Sequence, residues 1–501
     1  MEIIQQFLIP FLDWELLLLV AAGTLAGIFI GAIPGLSVTM AVALLLSLTY
    51  SWDLLPALAL MLGVYYGGVY GGSRAAILVN IPGSPASVAT ALDGYPMSQK
   101  GEAGLALFLT TIFSFVGGLV GVIVLATAAP IVASFAVQFA NRDYFLLALL
   151  GFCSLVIVTA LQKGCFRQVL VLSSAIGMDP IGGGSRFTFG SLQLMNGVDF
   201  IIALLGLFGM SEILYQMREL KRQGKPLEIK KMVIPPLRFI FKFLPLSMRV
   251  SILGVLTGAF QVLAVRLQLY YHMTTRNRST KKPNRPFGEG AHAGVIAPEA
   301  GNSSAIGGAM IPMLTLGIPG DAVTAIFIGA LFIHGLQPGP MLMTQSGDLF
   351  WVMVGSSVLA NVFLLVFGLM VVSIFIRIVT VPRQILLPII AVITVIGSYA
   401  MNYSLTDVYW MLGFGVIGFF MKVNNFSVAP LVLGIILGPL LDTSFRRAYM
   451  SANGTMSDFI AGFFTNPISL VLTLFILFTL FAQTPYYKLL KRKIFRKNET
   501  A

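Results

Sequence analysis

Apolar runs of about 18 residues or more, each long enough to cross a lipid bilayer, recur along this chain from Trp14 to the neighbourhood of Phe481. Inside a bilayer every backbone polar group must find its partner within the protein, which leaves helices and closed barrels as the only spanning structures. Strands crossing a membrane would alternate apolar and polar residues, whereas these runs are continuous, so helices are expected. Of the 501 residues 57% are hydrophobic and only 10% charged, against roughly 25% charged in a soluble globular chain. The chain therefore reads as an all-α, polytopic membrane protein with about 10–14 membrane-embedded segments.

The runs are broken in a specific way. Between Tyr70 and Asp93 lies Asn80-Ile81-Pro82-Gly83-Ser84-Pro85. It cannot continue an α-helix, because each proline lacks an amide hydrogen and disfavours helical geometry in the residue before it. Ser84-Pro85 can start a new helix, serine as N-cap and proline in the first turn. The device recurs downstream, where Gly301–Gly320 is followed by Asp321-Ala322-Val323-Thr324 and Ile318-Pro319-Gly320 matches Ile81-Pro82-Gly83. Gly/Pro-interrupted apolar segments in corresponding positions of two halves point to a transporter with discontinuous helices around its substrate. The expected organisation is a first membrane repeat over residues 1–215, a basic cytoplasmic loop over 216–243, a second membrane repeat over 244–483 and a basic cytoplasmic tail over 484–501. Gly31-Ala32-Ile33-Pro34-Gly35 marks a further break, Asp93-Gly94-Tyr95-Pro96 and Lys100-Gly101-Glu102 together a polar turn, and Pro130 a division of the long apolar stretch Leu105–Phe139. Gly63, Gly67, Gly68, Gly71 and Gly72 form a small-residue face suited to close helix packing.

The net charge is +12, concentrated in Arg218–Lys242, Arg266–Arg285 and Lys488–Lys497. These basic clusters flank hydrophobic spans, so they read as cytoplasmic loops under the positive-inside rule and not as a nucleic-acid surface. The C-terminus is expected in the cytoplasm. Cys153 and Cys165 carry no metal-type spacing and read as packing residues. The first residues hold Glu2, no basic region and no small-residue cleavage site, the pattern of an uncleaved anchor.

A charge at the bilayer centre costs about 2.5–3.5 kcal/mol on insertion scales, so an intramembrane acid is functional or paired. Asp321 directly follows Ile318-Pro319-Gly320, where unwound carbonyls and a carboxylate can bind Na⁺ or carry a proton. It can equally cap the helix that follows. At the first break Ser84, Ser87 and Thr90 offer hydroxyls, and a helix N-terminus offers free amides, a combination suited to a carboxylate. Asn80, Asn302, Ser303 and Ser304 can bind a ligand or bridge helices. Glu299, and Asp179 with Arg186, read as structural ion-pair or capping groups near an interface. His272, His292 and His334 lack ligand spacing, and no phosphate-binding loop or nucleophile elbow is present. Neither an ATP motor nor an enzyme is expected, and no cofactor beyond a coupling ion.

Four motifs in order carry a family resemblance: GAIPGLSVTMA (Gly31–Ala41), YGGSRAAILVNIPGSPASVATALDGYPM (Tyr70–Met97), GMDPIGGGSRFTFG (Gly177–Gly190) and APEAGNSSAIGGAMIPMLTLGIPGDAVTAIFIGALFIHGLQPGP (Ala297–Pro340). Together they resemble the large membrane subunit of the tripartite tricarboxylate transporters, the TctA family, over nearly the whole chain. The resemblance implies a secondary transporter of the bacterial inner membrane that imports citrate or another carboxylate on a Na⁺ or H⁺ gradient. A periplasmic solute-binding protein and a small membrane subunit would be its partners. The family's two signature regions fall on Asn80–Thr90 and Asn302–Thr324. The expected substrate contacts are thus Asn80, Pro82, Gly83, Ser84, Ser87 and Thr90 from the first, with Asn302, Ser303, Ser304, Pro319, Gly320 and Thr324 from the second, and Asp321 is the expected ion ligand. A stand-alone carboxylate carrier and a non-transporting membrane scaffold are the alternatives. Gly254–Arg285 departs from the family pattern, lacking a glycine-rich counterpart of Gly31–Gly35 before the pattern returns at Phe287-Gly288. The abrupt switch reads as a compensated frameshift.

Overall fold

The computed structural model describes residues 2–33, 36–80, 87–160, 177–178, 184–190, 195, 199–218, 233–259, 283–370, 383–424, 426 and 428–481. The Ile81–Ala86 stretch of the first break, and residues 260–282 of the Gly254–Arg285 departure from family pattern, lie outside them. In chain order the helices are α1 Glu2–Leu12, α2 Trp14–Ala32, α3 Val38–Leu48, α4 Leu54–Val79, α5 Ser87–Gln99, α6 Ala103–Ala136, α7 Asn141–Ala160 and α8 Phe200–Arg218. After the basic loop come α9 Leu237–Ala259, α10 His292–Leu316, α11 Ala322–Ile333, α12 Pro340–Gln345, α13 Gly347–Met370, α14 Arg383–Asn402, α15 Leu405–Val423, α16 Ala429–Ser451, α17 Met456–Thr465 and α18 Pro467–Phe481. Apart from the antiparallel pairing of Gly177–Met178 with Ser185–Arg186, the regular structure among the described residues is helical.

Eight of the described helices are long and apolar enough to span a membrane, or nine if Met456–Thr465 and Pro467–Phe478, bent by 96°, form one span. Three shorter apolar helices, α1, α3 and α11, accompany them. The protein is a multi-pass, helical membrane protein. Two compact units divide it: Met1–Ser134 with Ile201–Asn424, and Phe135–Phe200 with Asn425–Ala501. Each unit draws on both sides of the basic loop, so the units do not follow the two sequence halves.

In the first unit backbone contact between helices replaces side-chain interdigitation. A Cβ on Gly23 or Gly27 of α2 would stand 2.3 Å from the Leu60 carbonyl oxygen or 2.5 Å from that of Val64. From the other side, a Cβ on Gly63, Gly67 or Gly71 of α4 would stand 2.5, 2.1 or 2.4 Å from the carbonyls of Val20, Thr24 and Ile28. Three glycines at four-residue spacing on one face let the two backbones touch, and in lipid such van der Waals contact is what binds helices together. The same contact joins α9 to α10, where a Cβ on Gly258 would lie 2.2 Å from the Ala305 carbonyl. On another side of α10 stands α6, with Gly117 against Ala300 and Gly121 against Ser304.

Two expected breaks are continuous helix. Asp93-Gly94-Tyr95-Pro96 is part of α5, and Asp93 is fully buried. Its Oδ1 accepts hydrogen bonds from the amides of Gly288 (2.7 Å), Gly290 (3.1 Å) and Ala291 (2.9 Å). An acid at the N-terminal approach of α10 satisfies orphan amides and the positive end of that helix, so it is retained inside rather than in a turn. Pro130 lies within the 34-residue α6 without dividing it; a long membrane helix tolerates the single lost ladder bond.

The turn proper is Lys100-Gly101-Glu102, with Gly101 at φ +80°. Arg285 donates to both Glu102 carboxylate oxygens, at 2.7 and 2.6 Å, and this bond holds the Glu102 carboxyl below its ordinary range. A depressed carboxylate pKa contributes stability above the unfolded value and loses it as pH falls through the folded value. Amide exchange in residues 283–291 is therefore expected to quicken on acidification below the usual carboxylate range, after allowing for intrinsic pH effects. In Arg285→Gln that acid-dependent increment should vanish.

In the second unit α7 packs on α16 and α18. Asp143, buried, accepts from the Ala140 amide (2.9 Å) and from the Ser469 hydroxyl. Phe145 lies among Phe445, Phe459 and Phe463. Arg186, expected to pair with Asp179, donates to Asp442 at 3.0 Å. Asp442 also accepts from Arg446 at 3.0 Å; Asp179 lies outside the described residues.

Candidate functional site

Helix α4 ends on Asn80 and α10 ends on Gly317, both in the left-handed region (φ 56° and 70°) and both immediately before Ile-Pro-Gly. Glycine and asparagine adopt this conformation at least cost. The amides of Gly317 and Ile318 turn back to the carbonyls of Met313 and Pro312, each at 3.2 Å. Helix is described again from Ser87, the first residue after the undescribed 81–86, and from Ala322.

Each restarted helix rests on the long helix that precedes the other break. Asp321, half-buried, is the N-cap of α11 in a reciprocal capping box: its carboxylate accepts from the Thr324 amide (2.7 Å), and the Thr324 hydroxyl accepts from the Asp321 amide (2.8 Å). The other Asp321 oxygen accepts from the hydroxyl of Tyr65, a buried residue of α4. The Tyr65 ring also lies against Phe327 of α11, centroids 6.1 Å apart. In the opposite direction, Thr90 of α5 donates to Oε1 of Glu299 in α10 at 2.5 Å.

Glu299 is the centre of a second polar constellation and is 1% exposed. Besides Thr90, its Oε1 accepts from Ser73 of α4 at 2.6 Å, and its Oε2 from Ser114 of α6 at 3.0 Å. Four helices converge on one carboxylate. The opposite charge is Arg74, fully buried one residue after Ser73 and attracting Glu299 electrostatically. The Arg74 guanidinium donates to the Gly368 carbonyl at 2.8 Å and to Thr111 at 3.3 Å, and lies 4.5 Å from the centroid of the Tyr70 ring. Tyr70 and Thr111 are themselves hydrogen-bonded at 2.5 Å. Carbonyl, hydroxyl and aromatic face thus stand in for water around this cation. Among the described residues no group of three His, Cys, Asp or Glu side chains is placed to hold a metal ion.

The residues expected from the sequence separate into several environments. Asn80 is exposed at the end of α4, and Asn302 is half-buried on α10. Ser87 and Ser303 are buried, as are Pro319 and Gly320. Thr90 holds Glu299 and Thr324 holds Asp321. Ser304 is packed between α9 and α6, its hydroxyl donating to the Gly301 carbonyl at 3.0 Å. Pro82, Gly83 and Ser84 lie outside the described residues. Glu299 is deep in the helix packing, where three hydroxyls from three helices replace its hydration. Tyr65 and Ser114 lie outside the quoted motifs, and Ser73 and Arg74 lie within the Tyr70–Met97 motif without having been singled out; the available signal was Arg74 itself, the lone charge within the 26 residues of α4.

A family model described as the tripartite tricarboxylate transporter TctA family matches residues 17–433. A protein of Agrobacterium vitis, described as an uncharacterized 52.8 kDa protein in the TAR-I ttuC' 3' region, is 35% identical over 459 residues, covering 89% of this chain and 89% of its own. A second Agrobacterium vitis protein, uncharacterized and from the TAR-II ttuC' 3' region, is 36% identical over 219 residues, 44% of this chain and 87% of its own. No solved structure matches.

Proposed function

This chain belongs to the tripartite tricarboxylate transporter TctA family, and from that premise we propose that it is the large permease subunit of a binding-protein-dependent secondary transporter importing tricarboxylates or related carboxylates. A periplasmic solute-binding protein delivers the substrate and a small membrane subunit completes the complex. The chain resides in the bacterial inner membrane with its C-terminus in the cytoplasm, and a Na⁺ or H⁺ gradient drives uptake.

The observation that carries this reading is the reciprocal seating of the restarted helices, Asp321 on Tyr65 and Thr90 on Glu299. A duplicated architecture is the economical source of such reciprocity. Aligning the two Ile-Pro-Gly triplets sets Asn302 in the register of Tyr65 and Asp321 in that of Ser84. In this reading Asn80, at the end of α4, and Asn302, within α10, contact the solute, with Thr90, Ser304 and Thr324 holding the helices around them. Amides at the start of a restarted helix suit a carboxylate. The carbonyls of Ile318-Pro319-Gly320, with Asp321, suit a cation.

The test is uptake of a labelled tricarboxylate by the complex reconstituted in vesicles, with and without binding protein and under an imposed Na⁺ or pH gradient. Uptake that needs the binding protein and one gradient is the expected result. Uptake without the binding protein would make the chain a stand-alone carrier, and none under any condition would make it a scaffold. Asp321→Asn is expected to insert normally and to lower cation-dependent uptake by about tenfold, the scale of one charge-assisted hydrogen bond or ion contact. Unchanged ion dependence would remove Asp321 as a ligand.

A further inference from the structure

Glu299 is a buried acid that the reading of Asp321 leaves without a role. We propose that Glu299, enclosed by the hydroxyls of Ser73, Thr90 and Ser114, is a proton-binding site whose occupancy is coupled to the position of α5, and this rests on the transport reading above.

Three features of the geometry carry it. First, the carboxylate accepts three hydroxyl hydrogen bonds, at 2.5, 2.6 and 3.0 Å. Those separations are hydrogen-bond lengths, and a proton requires no coordination space. Second, a hydroxyl both donates and accepts. When a proton adds to a Glu299 oxygen, the new O–H can donate to one of the three hydroxyls, which rotates its own hydrogen elsewhere; when the proton leaves, the carboxylate accepts again. No other bond changes. Third, the Arg74 cation keeps the Gly368 carbonyl, Thr111 and the Tyr70 ring in either state, so the loss of one negative charge does not strand it.

Coupling to movement follows from where Thr90 sits. It lies in the first turn of α5, the helix that restarts after the first break, and its bond to Glu299 is charge-assisted only while the carboxylate is ionised. Such bonds are about twice as strong as neutral ones. Protonation therefore weakens the tie between α5 and α10. The other ionisable groups around Glu299 are held by their own partners. Arg74 acts on it from α4, itself against the Tyr70 ring. Asp93 of α5 is turned to the amides of Gly288, Gly290 and Ala291 at the start of α10, with its carboxylate beside Gly294. Helix α6 presents Thr111 and Ser114, α9 meets α10 through Gly254 and Gly258, and Asp321 stands past the far end of α10.

The experiment compares net accumulation with exchange in vesicles holding the complete complex. Net accumulation under an inward proton gradient requires the site to load and unload a proton, whereas exchange of internal for external substrate does not. Glu299→Gln, fixed in the neutral form, is expected to lose accumulation at least about tenfold while keeping exchange within about twofold of wild type. Thr90→Val removes one donor to the ionised form and is expected to move the pH profile of uptake upward by about one unit. Accumulation by Glu299→Gln equal to wild type, loss of accumulation and exchange together in a well-folded variant, or wild-type uptake indifferent to the proton gradient would each overturn the proposal. If Glu299→Gln fails to fold, the Thr90→Val profile decides, an unmoved profile counting against it. Failure of the transport reading is distinct, because there the wild-type complex shows no uptake at all.

Discussion

Gly67→Leu is expected to leave almost no folded protein. A Cβ at this position would stand 2.1 Å from the Thr24 carbonyl oxygen and 3.0 Å from the Ile28 amide nitrogen. Those atoms are backbone, so neither can rotate away, and the only relief is separation of α2 from α4 along their length. Ordinary overpacking costs about 1–3 kcal/mol because side chains shift; here the whole interface of small residues would open, and the cost should exceed that range. Fluorescence-detected size exclusion of a tagged chain in mild detergent should show aggregate in place of the monodisperse peak. Gly413→Leu is the control, because nothing lies within 4 Å of a Cβ there and leucine is the better helix former. A Gly67→Leu peak as sharp as that of the control would mean that α2 and α4 do not touch as described.

The second large effect is expected at Arg74. Arg74→Met removes the buried cation of α4, one residue from Ser73, and leaves the Glu299 carboxylate buried with hydroxyl donors alone. Breaking a buried pair from one side costs about 3–5 kcal/mol, most of it the penalty of the stranded charge. Adding Glu299→Gln to Arg74→Met should then recover a large part of the loss, since the amide keeps its hydroxyl partners and carries no charge. The pair of single variants and the double variant form a thermodynamic cycle, read as thermal midpoints of the purified protein in one detergent. Additive effects would show that the two charges do not interact. Recovery in the double variant would also separate stability from transport, because the double variant should be folded and still lack the proton site.

Much of this protein is legible without coordinates where a local physical rule acts alone. Continuous apolar runs force helices, since the bilayer offers no partner for an unpaired amide. Asp321 as N-cap follows from its place before Ala322 and Thr324, and the glycines of α4 read correctly as a packing face. Local rules also misled. Asp93-Gly94-Tyr95-Pro96 has turn composition, yet amides from residues nearly two hundred positions away satisfy Asp93 and keep it helical. Glu299 looked peripheral because nothing in its neighbourhood of Pro298 and Ala300 announces the hydroxyls that meet it.

By itself the sequence determined that the chain is helical, that it lies in a membrane and that the helix before Ile318-Pro319-Gly320 stops there, because backbone hydrogen bonding and proline geometry are decided within a few residues. Only the tertiary structure decided which donors face each buried charge. Tyr65 meets Asp321, and Ser73, Thr90 and Ser114 meet Glu299, across separations of 185 to 256 residues. A buried charge is made tolerable by donors that packing brings from other helices, and that information is not stored near the charge in the chain.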